Sequence, residues 1–251
     1  MQTNLKSFLI SLYIWAFIVV TLVPLFLLFC ILWLLAFPFD RKNVVTHGYT
    51  TLWTRLYLTI NPGWEIRVEN RERVGNDNTY ILVSNHQSII DIALLLQLRI
   101  NFKWVSKIEL ARAPFVGWVI QMNNHILVRR GDKQSVAKMA EACKKTLADG
   151  ISVFMFPEGT RAGNGELQSF KEGAFILAKD NRVPILPIVI DGPSKALPRK
   201  AFWFSMYQTF TVRVLDEIPA DTIERSEISH LIEHTRDLMA AELDIIRNPK
   251  N

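Results

Sequence analysis

Residues 80–91 read YILVSNHQSIID, and this stretch decides how the centre of the chain folds. Its first five residues are mostly apolar and rich in branched side chains, which predicts a short buried strand. An apolar helix is expected over residues 89–98, with Ser88 at its N-cap and Asp91 in its first turn. His86 then lies on the loop between strand and helix, where the Asp91 carboxylate can fold back towards it.

A carboxylate beside a histidine is the arrangement of an oriented general base. The carboxylate fixes the tautomer of the imidazole and stabilises the imidazolium that forms, and a neutral imidazole has a pKa suited to proton transfer near pH 7. The same spacing also arises by chance, with Asp91 favouring a helix N-terminus and His86 serving as a polar loop residue. A second motif is needed to choose between these interpretations.

Residues 151–161, ISVFMFPEGTR, supply that motif as another short apolar run followed by a turn. Arg161 offers a planar fork for bidentate phosphate binding, and the backbone at Gly159 and Thr160 can approach an anion closely. Glu158 and Arg161 could instead form a surface ion pair of little energetic consequence. Because α/β folds bind ligands beyond the carboxyl ends of their strands, we predict an anion site at this turn.

The two motifs resemble the first and third signature blocks of the glycerolipid acyltransferases, and the nearest branch is 1-acylglycerol-3-phosphate (lysophosphatidate) acyltransferase. Residues 124–130, NHILVRR, resemble the second block, with Asn124 and Leu127 in place of a glycine and an aromatic residue. Residues 183–188, VPILPI, resemble the fourth block, and residues 107–110, KIEL, resemble an element between the first two. The blocks follow one another in the order of the family.

The resemblance implies an O-acyltransferase that moves a fatty acyl group from acyl-CoA or acyl-carrier protein to the free sn-2 hydroxyl of lysophosphatidate, giving phosphatidate. His86 would be the general base and Asp91 its orienting partner. No acyl-enzyme is expected, because no Gly-x-Ser-x-Gly motif surrounds Ser88. The arginines would bind the acceptor phosphate, and Glu158 would lie near the glycerol or organise the site. The residues implied to bind substrate are Lys107, Arg130, Glu158, Gly159, Thr160 and Arg161.

Other functions fit parts of this pattern. Another lysophospholipid, glycerol 3-phosphate or a lyso-ornithine-type lipid could serve as the acceptor. A lipid-binding protein without activity would not need an oriented base, and a lipase or thioesterase would release fatty acid without an acceptor. We expect no metal and no cofactor other than the acyl-donor cosubstrate. Nucleic-acid binding is not expected despite a net charge of +5, because zinc-ligand spacing, a recognition helix and Lys/Arg-rich runs are all missing from the sequence.

Residues 7–39 contain no Asp, Glu, Lys or Arg. A bilayer core needs only about 20 helical residues, so this segment is predicted to anchor the protein in a membrane. Pro24 near its middle allows either one tilted, kinked spanning helix or a two-helix hairpin in one leaflet. One lysine precedes the segment and three cations follow it closely, which favours a cytoplasmic catalytic domain, at the inner membrane of a bacterium.

The chain of 251 residues is therefore predicted to comprise a membrane anchor over residues 1–42 and one α/β acyltransferase domain over residues 43–251, with a single mixed sheet flanked by helices. Further strands are expected over residues 64–69, 102–106, 126–128, 184–190 and 208–215. Further helices are expected over residues 44–60, 134–148, 172–179 and 222–247.

Residues 197–204, LPRKAFWF, combine two cations, Arg199 and Lys200, with three aromatic residues. This composition is typical of the headgroup region of a membrane. Alternatively, the aromatic side chains pack into the core beside the strand predicted over residues 208–215.

Overall fold

A computed structural model describes residues 5–75, 78–162, 165–198 and 201–249, and a single mixed sheet forms the centre of this part of the chain. The strands in chain order are β1 (Trp64–Glu69), β2 (Ile81–Ser84), β3 (Phe102–Lys107), β4 (Ile126–Val128), β5 (Ser152–Met155), β6 (Ile185–Asp191) and β7 (Gln208–Val214). Their spatial order is β1-β7-β6-β2-β5-β3-β4. Neighbouring strands are parallel except for the antiparallel pair β6 and β7.

Helices cover both faces of the sheet. The helices in chain order are α1 (Leu5–Ala36), α2 (Val44–Thr59), α3 (Ile90–Leu96), α4 (Val116–Met122), α5 (Lys133–Ala148), α6 (Gly173–Asn181), α7 (Pro193–Ala196), α8 (Ala220–Arg225) and α9 (Ile228–Arg247). Ile81 and Val83 of β2 pack with α5, α6, α8 and α9, whereas Leu82 packs with α2, α3 and α4. A strand buried on both faces requires a continuous apolar run, as its sequence has. The predicted fold class is confirmed.

The apolar N-terminal segment forms one helix, α1, which continues through Pro24. The hairpin divided at Pro24 is therefore not formed. Contacts with α2 hold the helix on both sides of the proline: the Thr21 and Tyr57 hydroxyl groups lie 3.2 Å apart, and the Tyr49 hydroxyl donates to the Leu25 carbonyl at 2.8 Å. α1 and α2 thus run antiparallel against each other. The boundary at residue 42 stays a prediction, and residues 1–4 lie outside the described part of the chain.

The long C-terminal helix predicted over residues 222–247 is wrong in one respect, since it is broken into α8 and α9. Ser226 and Glu227 are extended between them, with ψ of 147° and 142°. The Lys179 ammonium on α6 donates to the Ser226 carbonyl at 2.7 Å, and Ile223 is buried in the core. These tertiary contacts outweigh the helical periodicity of the sequence.

Candidate active site

Four parallel strands bring the predicted site residues to one edge of the sheet. His86 follows β2, the turn at residues 156–161 follows β5, Lys107 ends β3, and Arg130 follows β4. β2, β5, β3 and β4 are consecutive neighbours about 4.8 Å apart. The strand ends that carry Arg161, Lys107 and Arg130 therefore follow that of His86 along this edge over roughly 15 Å. The edge combines a histidine with a row of cations.

His86 and Asp91 form the contact that the sequence predicts. His86 Nδ1 lies 2.7 Å from Asp91 Oδ2, and the Asp91 side chain is fully buried while that of His86 is 18% exposed. An ionised carboxylate only accepts hydrogen bonds, so Nδ1 carries the proton and Nε2 is left with its lone pair. The ring also stacks on Phe156, with centroids 3.8 Å apart and planes 14° from parallel. The imidazole is fixed in position and tautomer.

Asp91, and not Ser88, organises the start of α3. Its Oδ2 atom accepts hydrogen bonds from the backbone N–H groups of Gln87 at 2.6 Å and Ser88 at 2.9 Å. The residue at the N-cap is Ile89, which makes no capping side-chain bond, and the Ser88 hydroxyl points instead to the Leu197 carbonyl at 3.4 Å. The N-cap predicted at Ser88 is therefore wrong, because its hydroxyl bonds to Leu197 and not to the amides of the first helical turn. The Asp91 carboxylate nevertheless reaches back to the Ser88 N–H, as the predicted capping box requires.

Glu158 is buried beneath the site, with 4% of its surface exposed. Its Oε1 atom accepts from the His86 backbone N–H at 3.0 Å, and its Oε2 atom accepts from Gln168 Nε2 at 3.0 Å. Burial is the largest cause of a pKa raised to about 7 for the Glu158 carboxyl; the hydrogen bonds from His86 and Gln168 lower this pKa, and the Asp91 carboxylate raises it. The two signature motifs are thus bonded to each other.

The turn after Glu158 is exposed. Gly159 has φ of +70°, a conformation that glycine adopts without strain. The Lys171 side chain crosses over it, since a Cβ atom on Gly159 would lie 3.0 Å from Lys171 Nζ. Thr160 and Arg161 are exposed, and the Arg161 side chain makes no hydrogen bond or ion pair within the described residues. The turn presents cations to solvent at the edge of the site.

Lys107 and Arg130 are both exposed. Lys107 pairs with Glu109 at 3.4 Å, and neither cation contacts His86 in the part of the chain that the structure describes. Asn124, which stands where the family has a glycine, has φ of +55°. Asparagine is among the few residues that tolerate this left-handed conformation, so the replacement preserves the backbone of the second block.

Two side chains that the sequence analysis did not single out fix the loop carrying His86. Asn85 bonds both polar groups of Ile190 on β6, accepting from its N–H and donating to its carbonyl, each at 2.8 Å. Gln87 Nε2 donates to the same carbonyl at 2.8 Å. Both residues flank His86 in the motif, which is the signal that would have identified them. Their partner on β6, Ile190, could not be predicted in this way, because it depends on the order of the strands in the sheet.

A family model described as Acyltransferase matches residues 65–191 of this chain. The chain belongs to the acyltransferase family. The resemblance predicted from the signature blocks is therefore confirmed, and the matched residues contain all four blocks and the edge described above. In the described residues there is no group of three or more side chains suited to hold a metal ion.

Curated relatives agree with this assignment. The chain is 34% identical over 209 residues to a chloroplastic 1-acyl-sn-glycerol-3-phosphate acyltransferase of Arabidopsis thaliana, covering 83% of this chain and 56% of the plant protein. It is 30% identical over 191 residues to human 1-acyl-sn-glycerol-3-phosphate acyltransferase beta, covering 75% and 68%. The chain spans about half the length of the first curated relatives it matches.

The fold is also that of a crystal structure of the 1-acyl-sn-glycerophosphate (LPA) acyltransferase PlsC from Thermotoga maritima. The two structures superpose with a TM-score of 0.80 over 98% of each chain at 22% sequence identity. The match includes nearly the whole chain, so α1 is part of the shared architecture.

Proposed function

We propose that this protein is a membrane-bound O-acyltransferase that moves a fatty acyl group from acyl-CoA or acyl-carrier protein to the sn-2 hydroxyl of lysophosphatidate, giving phosphatidate. The observation that carries the proposal is the 2.7 Å contact between His86 Nδ1 and the buried Asp91 carboxylate, which leaves Nε2 as a base. The names of the relatives support the choice of acceptor.

In this mechanism His86 first takes a proton from the acceptor and then gives it to the leaving group. Nε2 removes the proton of the acceptor hydroxyl while its oxygen attacks the thioester carbonyl carbon of the donor. Asp91 stabilises the imidazolium formed in this step. The tetrahedral intermediate then collapses as the C–S bond breaks, and the leaving thiolate takes the proton from the imidazolium. The products are an ester and a free thiol, and His86 returns to its neutral form.

The exposed cations at the edge suit an acceptor that carries a phosphate. Arg161 lies on the turn next to the Glu158 and His86 pair and offers the bidentate geometry that a phosphate prefers. Arg130 and Lys107 follow on the two neighbouring strands towards the sheet edge. Arg161 is therefore assigned to the acceptor phosphate, with Arg130 and Lys107 extending the positive surface.

The anchor helix suits attachment to a membrane along its side. α1 is long and apolar enough to cross a membrane, but it contacts the rest of the protein along its length. Phe8 packs on Trp203, the Phe204 N–H donates to the Ser11 hydroxyl at 2.8 Å, and Phe26 packs on Phe115. A helix held at these points lies against the domain, so it is better placed to enter one leaflet than to leave the domain and cross the bilayer.

The opposite side of α1 forms an apolar stripe. Its exposed residues recur every three or four positions, as on one face of a helix. They include Leu5, Leu9, Leu12, Val19, Val20, Val23, Leu27, Ile31, Leu34 and Leu35. A long exposed apolar stripe of this kind is typical of a membrane-binding face, and we assign it to the cytoplasmic leaflet of a bacterial inner membrane.

The aromatic residues of the segment 197–204 do not share one role: some pack into the core and others lie at the surface. Phe204 is only 5% exposed and packs on Trp15 and Trp64, as expected of a core residue, whereas Phe202 is 72% exposed beside α1. Arg199 and Lys200 lie outside the described residues. The segment begins at Leu197, which contacts Ser88. It therefore connects the loop of the proposed base to the proposed membrane surface, where a lysophospholipid would reside.

The full-length protein in detergent, incubated with labelled oleoyl-CoA and lysophosphatidate, tests the proposal. The expected result is release of free CoA that depends on the acceptor, together with labelled phosphatidate. The assay is then repeated with acyl-carrier protein and with lysolipids that lack an exposed phosphate. Fatty acid release without an acceptor, or no transfer from either donor to any lysolipid, would contradict the proposal.

A further inference from the structure

The backbone of His86 is held on both sides by the segment that follows β5. Its N–H donates to Glu158 Oε1 at 3.0 Å, and its carbonyl accepts from the Ala162 N–H at 2.8 Å. Phe156 of the same segment stacks on the ring. The position of the imidazole is therefore set by residues 156–162 as much as by the loop that carries His86.

Glu158 is poorly placed to bind a substrate directly. Its side chain is buried, and each of its carboxylate oxygens already accepts a hydrogen bond from the protein. Thr160 and Arg161, which follow in the same turn, are exposed. Removing the carboxylate would leave the His86 N–H without its partner in a largely buried loop, which is costly.

A chain of hydrogen bonds connects this carboxylate to helix α9. Gln168 Nε2 donates to Glu158 Oε2 at 3.0 Å and to the Thr160 carbonyl at 3.2 Å. The carbonyl of Gln168 in turn accepts from Arg236 Nε on α9 at 3.3 Å. Gln168 thus holds the Glu158 carboxylate against the backbone of the next turn, and α9 braces Gln168.

We propose that Glu158 and Gln168 are positioning residues that hold the backbone of His86, and that neither contacts the acceptor. This inference rests on the proposed function, in which His86 is the base. A base displaced by about 1 Å can lose roughly 100-fold in rate while substrate affinity is unchanged. The two residues should therefore affect turnover, and the exposed cations should affect acceptor binding.

The test compares Glu158→Ala, Glu158→Gln and Gln168→Leu in the full-length protein, with Glu172→Ala as the control. Glu172 is an exposed carboxylate nearby whose side chain caps no helix. We expect Glu158→Ala and Gln168→Leu to lower kcat by about 10- to 100-fold with the KM for lysophosphatidate within about twofold of the wild-type value. Glu158→Gln keeps an oxygen that can accept from His86, so it should recover part of the loss. Glu172→Ala should be unchanged.

Combining the changes tests whether the two residues act together. If Glu158 and Gln168 belong to one unit, the double variant Glu158→Ala/Gln168→Leu should lose no more than Glu158→Ala alone. A raised acceptor KM with normal kcat in Glu158→Ala would overturn the proposal and make Glu158 a binding residue. Normal kcat in Gln168→Leu would remove Gln168 from it.

Amide hydrogen exchange separates this inference from the proposed function. The peptide containing His86 should exchange faster in Glu158→Ala than in the wild type, whatever reaction the protein catalyses. Faster exchange in a protein that transfers no acyl group would refute the proposed function and leave the positioning role. Unchanged exchange at His86 would refute the positioning role itself.

Discussion

For a single residue, Asp91, one carboxylate oxygen holds both the backbone of the loop and the imidazole of the proposed base. Its Oδ2 atom accepts from two backbone amides and faces His86 Nδ1. Asp91→Asn can place an oxygen where Oδ2 lies, so it still accepts from both amides and from His86 Nδ1, but it removes the negative charge that stabilises the imidazolium. We expect kcat to fall by at least about 100-fold while the fold is retained. Steady-state kinetics with circular dichroism check this, and a loss below about tenfold would exclude Asp91 as the orienting residue.

Glu158 gives a prediction about pH and stability. Its pKa is raised to about 7 in the folded protein, against an ordinary value of 4.5. Below about pH 4.5 the carboxyl is protonated in both the folded and the unfolded chain. As the pH rises towards about 7 the unfolded chain releases this proton more readily, so the contribution of Glu158 to the free energy of unfolding falls, by about 2–4 kcal/mol.

Glu158→Gln cannot titrate and therefore isolates this effect. The free energy of unfolding of the wild type, minus that of Glu158→Gln, should decrease between about pH 4.5 and 7.5 and be constant at higher pH. Urea denaturation in detergent at several pH values measures the difference. A difference independent of pH would show that Glu158 ionises normally in the folded protein.

At the scale of the element, the turn after β5 depends on Gly159. An alanine there would be strained at φ of +70°, and its Cβ atom would press on the Lys171 side chain. We expect Gly159→Ala to lower the free energy of unfolding by about 1–2 kcal/mol and to reduce kcat/KM for the acceptor. Gly48→Ala is the matched control: Gly48 lies in α2 with open space around it, so alanine should stabilise by about 0.5–1 kcal/mol. Equal free energies of unfolding for the two variants would show that the turn does not require glycine at position 159.

The elements also show what a sequence can predict. The strands before His86 and Glu158 and the contact between His86 and Asp91 are local, and periodicity and spacing predicted them correctly. The hydrogen bond between His86 and Glu158 joins residues 72 positions apart and exists because β2 and β5 are neighbours. The order of the strands in the sheet decides this pairing, and it cannot be predicted from the spacing of the motifs.

Two local predictions failed for a related reason. The Ser88 hydroxyl bonds to the distant Leu197 carbonyl instead of capping α3, and the single C-terminal helix was interrupted where Lys179 binds the Ser226 carbonyl. The helix α4 was not predicted; it begins after Phe115, which has φ of +61° and packs on Phe26 of α1. In each case a contact with a distant element decides the local structure.

At the scale of the whole molecule, the stripe on α1 should bind the protein to membranes. Val19→Gln combined with Leu27→Gln places two amides on this stripe, where the side chains are 68% and 57% exposed. We expect affinity for anionic phospholipid vesicles to fall at least about tenfold, because each apolar side chain contributes on the order of 1.5 kcal/mol or more when it leaves water. Cosedimentation with vesicles measures the affinity.

The control for this experiment lies on the other face of the sheet. Leu238→Gln combined with Ile245→Gln changes two exposed apolar residues of α9, which packs opposite α2. This pair should bind vesicles as the wild type does. Equal loss in both double variants would show that general hydrophobicity, and not the α1 stripe, drives binding.

The proposed mechanism depends on His86 acting as the base at the edge of the sheet. The most direct measurement is acceptor-dependent formation of phosphatidate by purified His86→Ala and wild type, with the fold of each checked by thermal denaturation. We predict that the folded variant forms phosphatidate at least about 1,000-fold more slowly than the wild type, with the donor thioester left intact. A folded His86→Ala variant that retains a substantial part of the wild-type rate would contradict the mechanism.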